Sequence, residues 1–348
     1  MDVSVIIGTL NRASHLRKTL RSLANTYIPP SLDVELLVVD NGSTDETAFV
    51  VETWAPEDWP VRRVVEPKPG LSRARNRGVA VSTGRVLLYT DDDVRLPEEW
   101  VEPMAAPILR GDADAVAGGV ELADALRRDW MTTSHTMLLA DTEILRESDA
   151  NRMVGANMAI SREVFEVVPG FDPNLGPGRE STGFHEETLF SFQLQRAGFR
   201  LVKALDIAVE HHPVEERLQY SGFAETLDRQ GRSDAYLHYH WHHMDPTPVR
   251  STAALAAWLL RLATYRLVPG RRRAPTDEGM ALQEMKARRR MAAHREMLQL
   301  RGTPRRYKQL SHEMRRDLSP IPGPITAAGR AAGADRVESD PQGIADPS

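Results

Sequence analysis

Three adjacent carboxylates, Asp91, Asp92 and Asp93, follow the apolar run at 85–89 (RVLLY). Carboxylates this close repel one another, a cost tolerated on a solvated turn or where a divalent cation neutralises them. Asp91 and Asp93 alternate, so they can face one side together. An all-oxygen pair suits Mg2+ or Mn2+, which keep positions open for waters and for the phosphates of a nucleotide. A plain acidic turn before Pro97 is the competing reading. A second acidic stretch, Asp40-Asn41-Gly42-Ser43-Thr44-Asp45, follows the run at 34–39 (VELLVV), where Asp40 also suits a helix N-cap. Glu186 and Glu187 open a helix predicted over 185–197, a place the macrodipole favours for acids in any protein. His211 and His212 end a strand-like piece, and a neutral imidazole is a reasonable third ligand for Mn2+. Arg73 and Arg77 stand four apart on one helical face, with Arg75 and Asn76 facing elsewhere. A guanidinium can grip a phosphate through two parallel hydrogen bonds, although ordinary surface arginines would look the same. His238, His240, His242 and His243 also cluster, yet nothing ties them to the acids, and they read as a solvated or interface patch.

The chain that must position these groups has 348 residues, 41% hydrophobic and 27% charged. That is the composition of a soluble globular protein rather than a disordered, collagenous or membrane-spanning one. It has no Cys, which excludes disulfides, zinc–thiolate sites and Cys nucleophiles, so a metal must sit on oxygen or imidazole. The short Val, Leu and Ile runs at 3–7, 34–39, 61–65 and 85–89 read as strands. Between them, Leu16, Leu20 and Leu23 keep helical spacing, and Ser72 to Val81 forms another helix after Pro69-Gly70. This βαβαβ alternation predicts an α/β fold with a doubly wound, mostly parallel sheet and helices on both faces. Ligands of such sheets collect where the strands end. Here those ends are acidic, and acids repel a phosphate unless a cation lies between.

Beyond 100 the pattern weakens, with a strand at 114–120 inside an otherwise variable, substrate-facing excursion. Gly155 to Ile160 leads to a helix near 161–167, the helix at 185–197 ends at Gly198, and strand pieces follow at 200–203 and 207–210. The segment 252–268 puts Leu255, Trp258, Leu259 and Leu262 on one helical face but carries Arg261 and Arg266. It is too short and too charged for a span, which leaves a helix packed on the protein's own core or one lying on a membrane. Residues 319–348, rich in Pro, Gly, Ala and Asp, are expected to be disordered. The net charge of −5 hides an asymmetry: residues 1–250 carry 26 Lys and Arg against 39 Asp and Glu, and residues 251–318 carry 16 against 6. Met1 is followed at once by Asp2 and a strand, without the basic start of a signal peptide, so a cytoplasmic protein is expected.

Six stretches occur in the order and approximate spacing seen in family 2 glycosyltransferases of the GT-A fold: VSVIIGTLNR, VVDNGSTDET, GLSRARNRG, LLYTDDD, GANMAISREVFEVVPGFDP and HEETLFSFQLQRAGFRL. The resemblance covers residues 2–215, and the C-terminal third lies outside it. It implies a GT-A domain over 1–218, with a nucleotide-binding half at 1–100 and an acceptor and catalytic half at 101–218. A helical, basic region at 219–318 and the tail at 319–348 complete the chain. By that resemblance Thr9 and Asp40 contact the base or ribose, with Asn11 and Arg12 lining the same pocket. Arg73 and Arg75 border the phosphates. Asp91, Asp92 and Asp93 are similar to the DxD motif, Asp91 and Asp92 lying toward ribose or sugar and Asp93 holding Mn2+ or Mg2+, with His211 as a further ligand. Glu187 stands where the family's catalytic base stands, but the family usually has Glu-Asp where this chain has Glu186-Glu187, and the longer side chain shifts the carboxylate by one methylene. Glu186, Asn157 and Trp130 fall on the acceptor side, Trp130 as a platform for a sugar face.

The activity implied is inverting, metal-assisted transfer from a nucleotide-sugar, a UDP-sugar foremost, to a hydroxyl of a glycan, lipid-linked or natural-product acceptor. A Mg2+-dependent nucleotidyltransferase is a rival, but it would want a Gly-rich basic loop that VSVIIGTLNR lacks. A transferase-like domain that only binds nucleotide or glycan is the non-enzymatic alternative. The basic segment, with 252–273 at its head, points to peripheral contact with the inner face of a membrane, to an anionic acceptor, or to the acidic part of a second subunit in a homo-oligomer. Nucleic acid is not expected as a partner, since no basic groove interleaved with aromatics and no reading motif appears.

Overall fold

The computed structural model describes residues 1–307 except 55, 57, 58, 148–151, 179, 180 and 268–277. The expected disordered tail and Arg271 to Arg273 lie outside the described residues. The first half follows the predicted alternation: β1 (Val3–Thr9), α1 (Ala13–Leu23), β2 (Val34–Asp40), α2 (Thr47–Glu52), β3 (Val61–Val65), α3 (Leu71–Val81) and β4 (Val86–Asp91). Then come β5 (Val94–Arg95), α4 (Val101–Leu109), β6 (Ala115–Leu122), α5 (Thr133–Leu138), α6 (Glu143–Glu147), β7 (Asn157–Ser161), α7 (Glu186–Arg196) and β8 (Leu201–His211). Three helices, α8 (Tyr220–Tyr236), α9 (Pro248–Leu267) and α10 (Leu282–Leu300), form the C-terminal region.

All eight strands make one sheet in the order β3-β2-β1-β4-β7-β6-β8-β5. The first four are parallel, β7 runs antiparallel to both β4 and β6, β8 is parallel to β6, and β5 is antiparallel to β8. This is the mostly parallel sheet with helices on both faces that the alternation predicts. Alternation along β1 sends side chains to opposite faces. Val3, Val5 and Ile7 pack with Leu16 and Leu20 of α1 and with Trp100 and Met104 at α4. Ile6 packs on the other face with Ala74 and Val79 of α3 and with Phe190 and Leu194 of α7.

Some elements differ from expectation. Residues 157–161 are a strand, and the helix expected at 161–167 is a 3-10 turn at Arg162–Glu166. The two strand pieces near 200 and 207 are one strand, with a register shift opposite Gly118 and Gly119 that local periodicity cannot reveal. The helix expected at 252–268 is α9, which packs beside α10 with Leu255, Trp258 and Leu262 half-buried, whereas Leu259 is 51% exposed. Among the described residues no helix is long and apolar enough to cross a membrane.

The C-terminal helices share a core with the acceptor-side excursion. Leu122, Leu126, Leu138 and Leu139 pack with Leu218, Phe223, Leu227, Met280 and Met285. Part of the basic surplus is paired inside the chain, Arg288 with Asp228, Arg289 with Asp234 and Arg305 with Asp245. The histidine cluster is not simply solvated: His240 is buried in the π-helical turn Leu237–Trp241. Burial and the Arg306 charge push it down to about 4, and its Nδ1 accepts the Arg306 N–H at 3.1 Å.

Candidate active site

A cleft of about 690 Å3 opens over the carboxyl ends of β1 and β4, bounded by the starts of α3 and α7 and by α8. Thr9, Arg12, Asp91, Asp92, Asp93 and His211 line one side. Asp92 is buried and accepts the Thr9 hydroxyl at 2.7 Å, with Arg12 Nε 3.3 Å from its other oxygen. Burial, resisted by Arg12 and reinforced by Asp93, pushes the Asp92 carboxyl up to about 7. Asp93 behaves oppositely. It accepts Arg12 Nη2 at 2.7 Å and lies 3.5 Å from His211 Nε2; although burial opposes it, the His211 and Arg12 contacts hold its carboxyl well below the usual range.

The smallest strand brings Asp93 to His211. Val94 of β5 pairs with His211 of β8, and the His212 N–H donates to the Asp93 carbonyl at 2.8 Å. His211 Nδ1 lies 2.7 Å from the Leu139 carbonyl, which can only accept, so Nδ1 carries a proton. A metal bound beside Asp93 would take the Nε2 lone pair once that nitrogen is free of its proton, and an outer carbonyl on Nδ1 is how a ligating histidine is oriented. Among the described residues no three His, Asp or Glu converge as a cage. One carboxylate and one imidazole nitrogen fit a Mn2+ or Mg2+ that completes its shell with water and phosphate oxygens.

Across the cleft, α7 begins with Glu186 and Glu187. Buried Arg75 of α3 joins the two sides, with Nη2 3.3 Å from Asp91 Oδ1 and Nη1 3.0 Å from Glu186 Oε1. Gly155 makes this geometry affordable in space, because a Cβ there would fall 1.9 Å from Arg75 Nη2. Burial and the neighbouring Glu187 charge raise Glu186 well above the usual value. Burial also pushes Glu187 up, but the Arg75 charge, a hydrogen bond from Glu186 and the N–H groups of Glu187 and Gly155 overcome it and leave it low. The Gly155 N–H donates to Glu187 Oε1 at 3.2 Å. Glu187, only half-buried, is therefore an ionised carboxylate open to the cleft, while Glu186 is a buried proton holder.

Several expected site residues lie elsewhere. Asp40 is 1% exposed, does not line the cleft, and is engaged by Arg63 Nη2 at 2.8 Å and by the Ser43 N–H at 2.8 Å. These contacts close the loop after β2. Asn11, with φ 53, accepts the Thr44 N–H and sits in a neighbouring recess rather than the cleft. Arg73 does not line the cleft, and Arg75, expected to meet phosphate, is engaged by acids instead. Asn157 is fully buried, donating to the Gly119 and Ile207 carbonyls and accepting Trp100 Nε1; it ties β7 to β6 and β8 and shapes no acceptor pocket. Trp130 packs edge-on against His135 at 5.2 Å in the shared C-terminal core, so its face is not a sugar platform. His212 pairs with Glu210, which leaves His211 as the histidine beside Asp93.

The cleft also contains residues without a local sequence signal. Arg217 donates to the Leu138 carbonyl at 2.9 Å and, among the described residues, has no carboxylate within ion-pair distance. Burial lowers its pKa against the pull of Asp93. Arg229 and Gln230 enter from α8. An arginine six residues past a strand-ending histidine is unremarkable until the fold sets it beside the acids.

The Glycosyl transferase family 2 profile matches residues 4–168. Glycosyltransferase AglE of Haloferax volcanii is 28% identical over 267 residues, 74% of this chain and 80% of that protein. The Glucosyl-dolichyl phosphate glucuronosyltransferase of the same organism is 27% identical over 243 residues, 67% of this chain and 76% of that protein. Among solved structures, the mannosyltransferase PcManGT of Pyrobaculum calidifontis, in complex with GDP-Man and Mn2+, aligns over 98% of this chain and 81% of its own at 17% identity, with a TM-score of 0.47.

Proposed function

Taking as premise that the chain belongs to glycosyl transferase family 2, we propose that it transfers a sugar with inversion from a nucleoside diphosphate sugar, a UDP-sugar foremost, to a hydroxyl acceptor. The observation that carries this reading is the pairing of Asp93 with a tautomerically fixed His211 on one side of the cleft and an ionised Glu187 on the other. Asp93 and His211 Nε2 would hold a Mn2+ or Mg2+, which when bound supplies positive charge for the departing diphosphate. Arg217 has free N–H groups for the same oxygens. Thr9 and Arg12 fix Asp92 and Asp93 in place.

Glu187 takes the proton of the attacking hydroxyl. Arg75 and Glu186 keep that carboxylate charged until it does so, Arg75 by its field and Glu186 by its hydrogen bond. A single displacement between the two sides needs no covalent enzyme intermediate and inverts the anomeric centre. The name of the second relative supports a glycan or lipid-linked hydroxyl as acceptor.

The test is release of nucleoside diphosphate. A thermal-shift panel of UDP-, GDP-, ADP- and dTDP-sugars with Mn2+ selects the donor, with a UDP-sugar expected. Slow hydrolysis of that donor is then expected, and Asp93→Ala should abolish it. Pyrophosphate release from a nucleoside triphosphate and a sugar phosphate would favour the nucleotidyltransferase, and binding without turnover the non-catalytic alternative.

A further inference from the structure

The residues that lead into the two acids of α7 are fastened to α8. The Phe184 N–H donates to Ser233 Oγ at 3.0 Å, and Ser233 Oγ donates to Thr182 Oγ1 at 2.9 Å. One residue on, His185 Nε2 lies 2.9 Å from Asp234 Oδ1 and donates to it, since an ionised carboxylate only accepts. Asp234 is braced in turn by α10: Arg289 Nε reaches Oδ2 at 2.7 Å and Arg289 Nη2 reaches Oδ1 at 2.8 Å. These hydrogen bonds outweigh the effect of burial and hold the Asp234 carboxyl far below its ordinary value.

His185 adopts φ 78 and ψ 7, a left-handed conformation that is strained for a non-glycine residue. Its side chain makes no capping bond to the N–H groups of α7. The ring is therefore directed away from the helix it precedes, toward α8. A strained residue persists where its surroundings over-determine it, and here those surroundings are Asp234, Ser233 and Arg289. Both supporting helices lie beyond the residues that the family profile matches.

We propose that Asp234, braced by Arg289, is a positioning residue for sugar transfer: through His185 it fixes the direction from which α7 presents Glu187 to the acceptor. This role rests on the transferase reading above. A bound donor or acceptor need not touch Asp234, which acts through His185 and the first turn of α7.

The experiment follows hydrolysis of the donor that the Mn2+ panel selects, alongside affinity for its nucleoside diphosphate in Mn2+ and the thermal midpoint. Asp234→Asn, nearly equal in size, is expected to lower kcat roughly 10- to 100-fold, as loss of a supporting contact does at other sites. Nucleotide affinity should change by less than about threefold, because Asp93 and His211 stand on other elements. His185→Gly relieves the backbone strain yet removes the ring, and should lose kcat to a similar degree. The double variant should fall no further than the weaker single, since both break one link. Full kcat in either folded single variant overturns the proposal, as does a parallel loss of nucleotide affinity. If Asp234→Asn fails to fold, Arg289→Gln carries the same comparison. A wild-type protein that hydrolyses no nucleotide sugar would overturn the transferase reading, and this role with it.

Discussion

Glu186 and Glu187 are chain neighbours with opposite protonation behaviour, and what each touches explains the difference. Burial and the neighbouring Glu187 charge make the first a proton holder against the pull of Arg75; Arg75, a hydrogen bond from Glu186 and main-chain N–H groups keep the second charged. Glu187→Gln should therefore lower turnover by about 10²- to 10⁴-fold while UDP affinity stays nearly intact, read by donor hydrolysis beside calorimetric titration. Asp92 gives a pH prediction. With its carboxyl pushed up to about 7, it is neutral below that pH and adds a negative charge above it, while Asp93 stays ionised throughout. Affinity for Mn2+ with UDP should rise between about pH 6 and pH 8, by at most about tenfold per unit for one linked proton. Asp92→Asn should flatten the profile. That Asp93, His211 and Glu187 would meet at one cleft was legible through the order and spacing of the six family-like stretches rather than through each residue alone. The engagements of Asp40 with Arg63, of Asn157 with the β6 and β8 carbonyls and of Trp130 with His135 have no local sequence signal, because they exist only after folding.

At the scale of elements, the parallel strands were readable as short apolar runs, α1 from the spacing of Leu16, Leu20 and Leu23, and α3 and α7 from the breaks at Pro69-Gly70 and Gly198. β5 was not: two residues have no period, yet they bring Asp93 to His211. The C-terminal helices were visible as helices, but their docking was not. α8 and α10 meet at Gly231, where a Cβ would lie 2.3 Å from the Arg289 carbonyl, and neighbouring Arg288 and Arg289 pair with Asp228 and Asp234. A contact built from a glycine and opposed charges leaves little hydrophobic signature. Gly231→Ala should force the helices apart at a cost of about 1–3 kcal/mol. Differential scanning calorimetry should register a midpoint several degrees lower, and an unchanged midpoint would mean that the helices part freely.

At the scale of the molecule, the sequence suggests a catalytic domain to 218 followed by a separable basic region, and the folded chain does not divide there. Leu122, Leu138 and Leu139 share their packing with Phe223, Leu227 and Met285, and α8 lines the cleft. A fragment of residues 1–218 would expose this apolar surface. It should aggregate or melt well below the full chain in circular dichroism, whereas a cooperative transition at the full-length temperature would restore the two-part description. The boundary falls where the resemblance to the family ends, and packing continues across it. The proton on His211 Nδ1 is held by a single main-chain oxygen, that of Leu139, within the excursion on the acceptor side. Side chains along that excursion can be exchanged without altering the placement of His211, because a carbonyl is common to every amino acid. An insertion or deletion that displaces this one oxygen would instead free the imidazole to turn, so changes of length and changes of residue in the same loop should have unequal consequences.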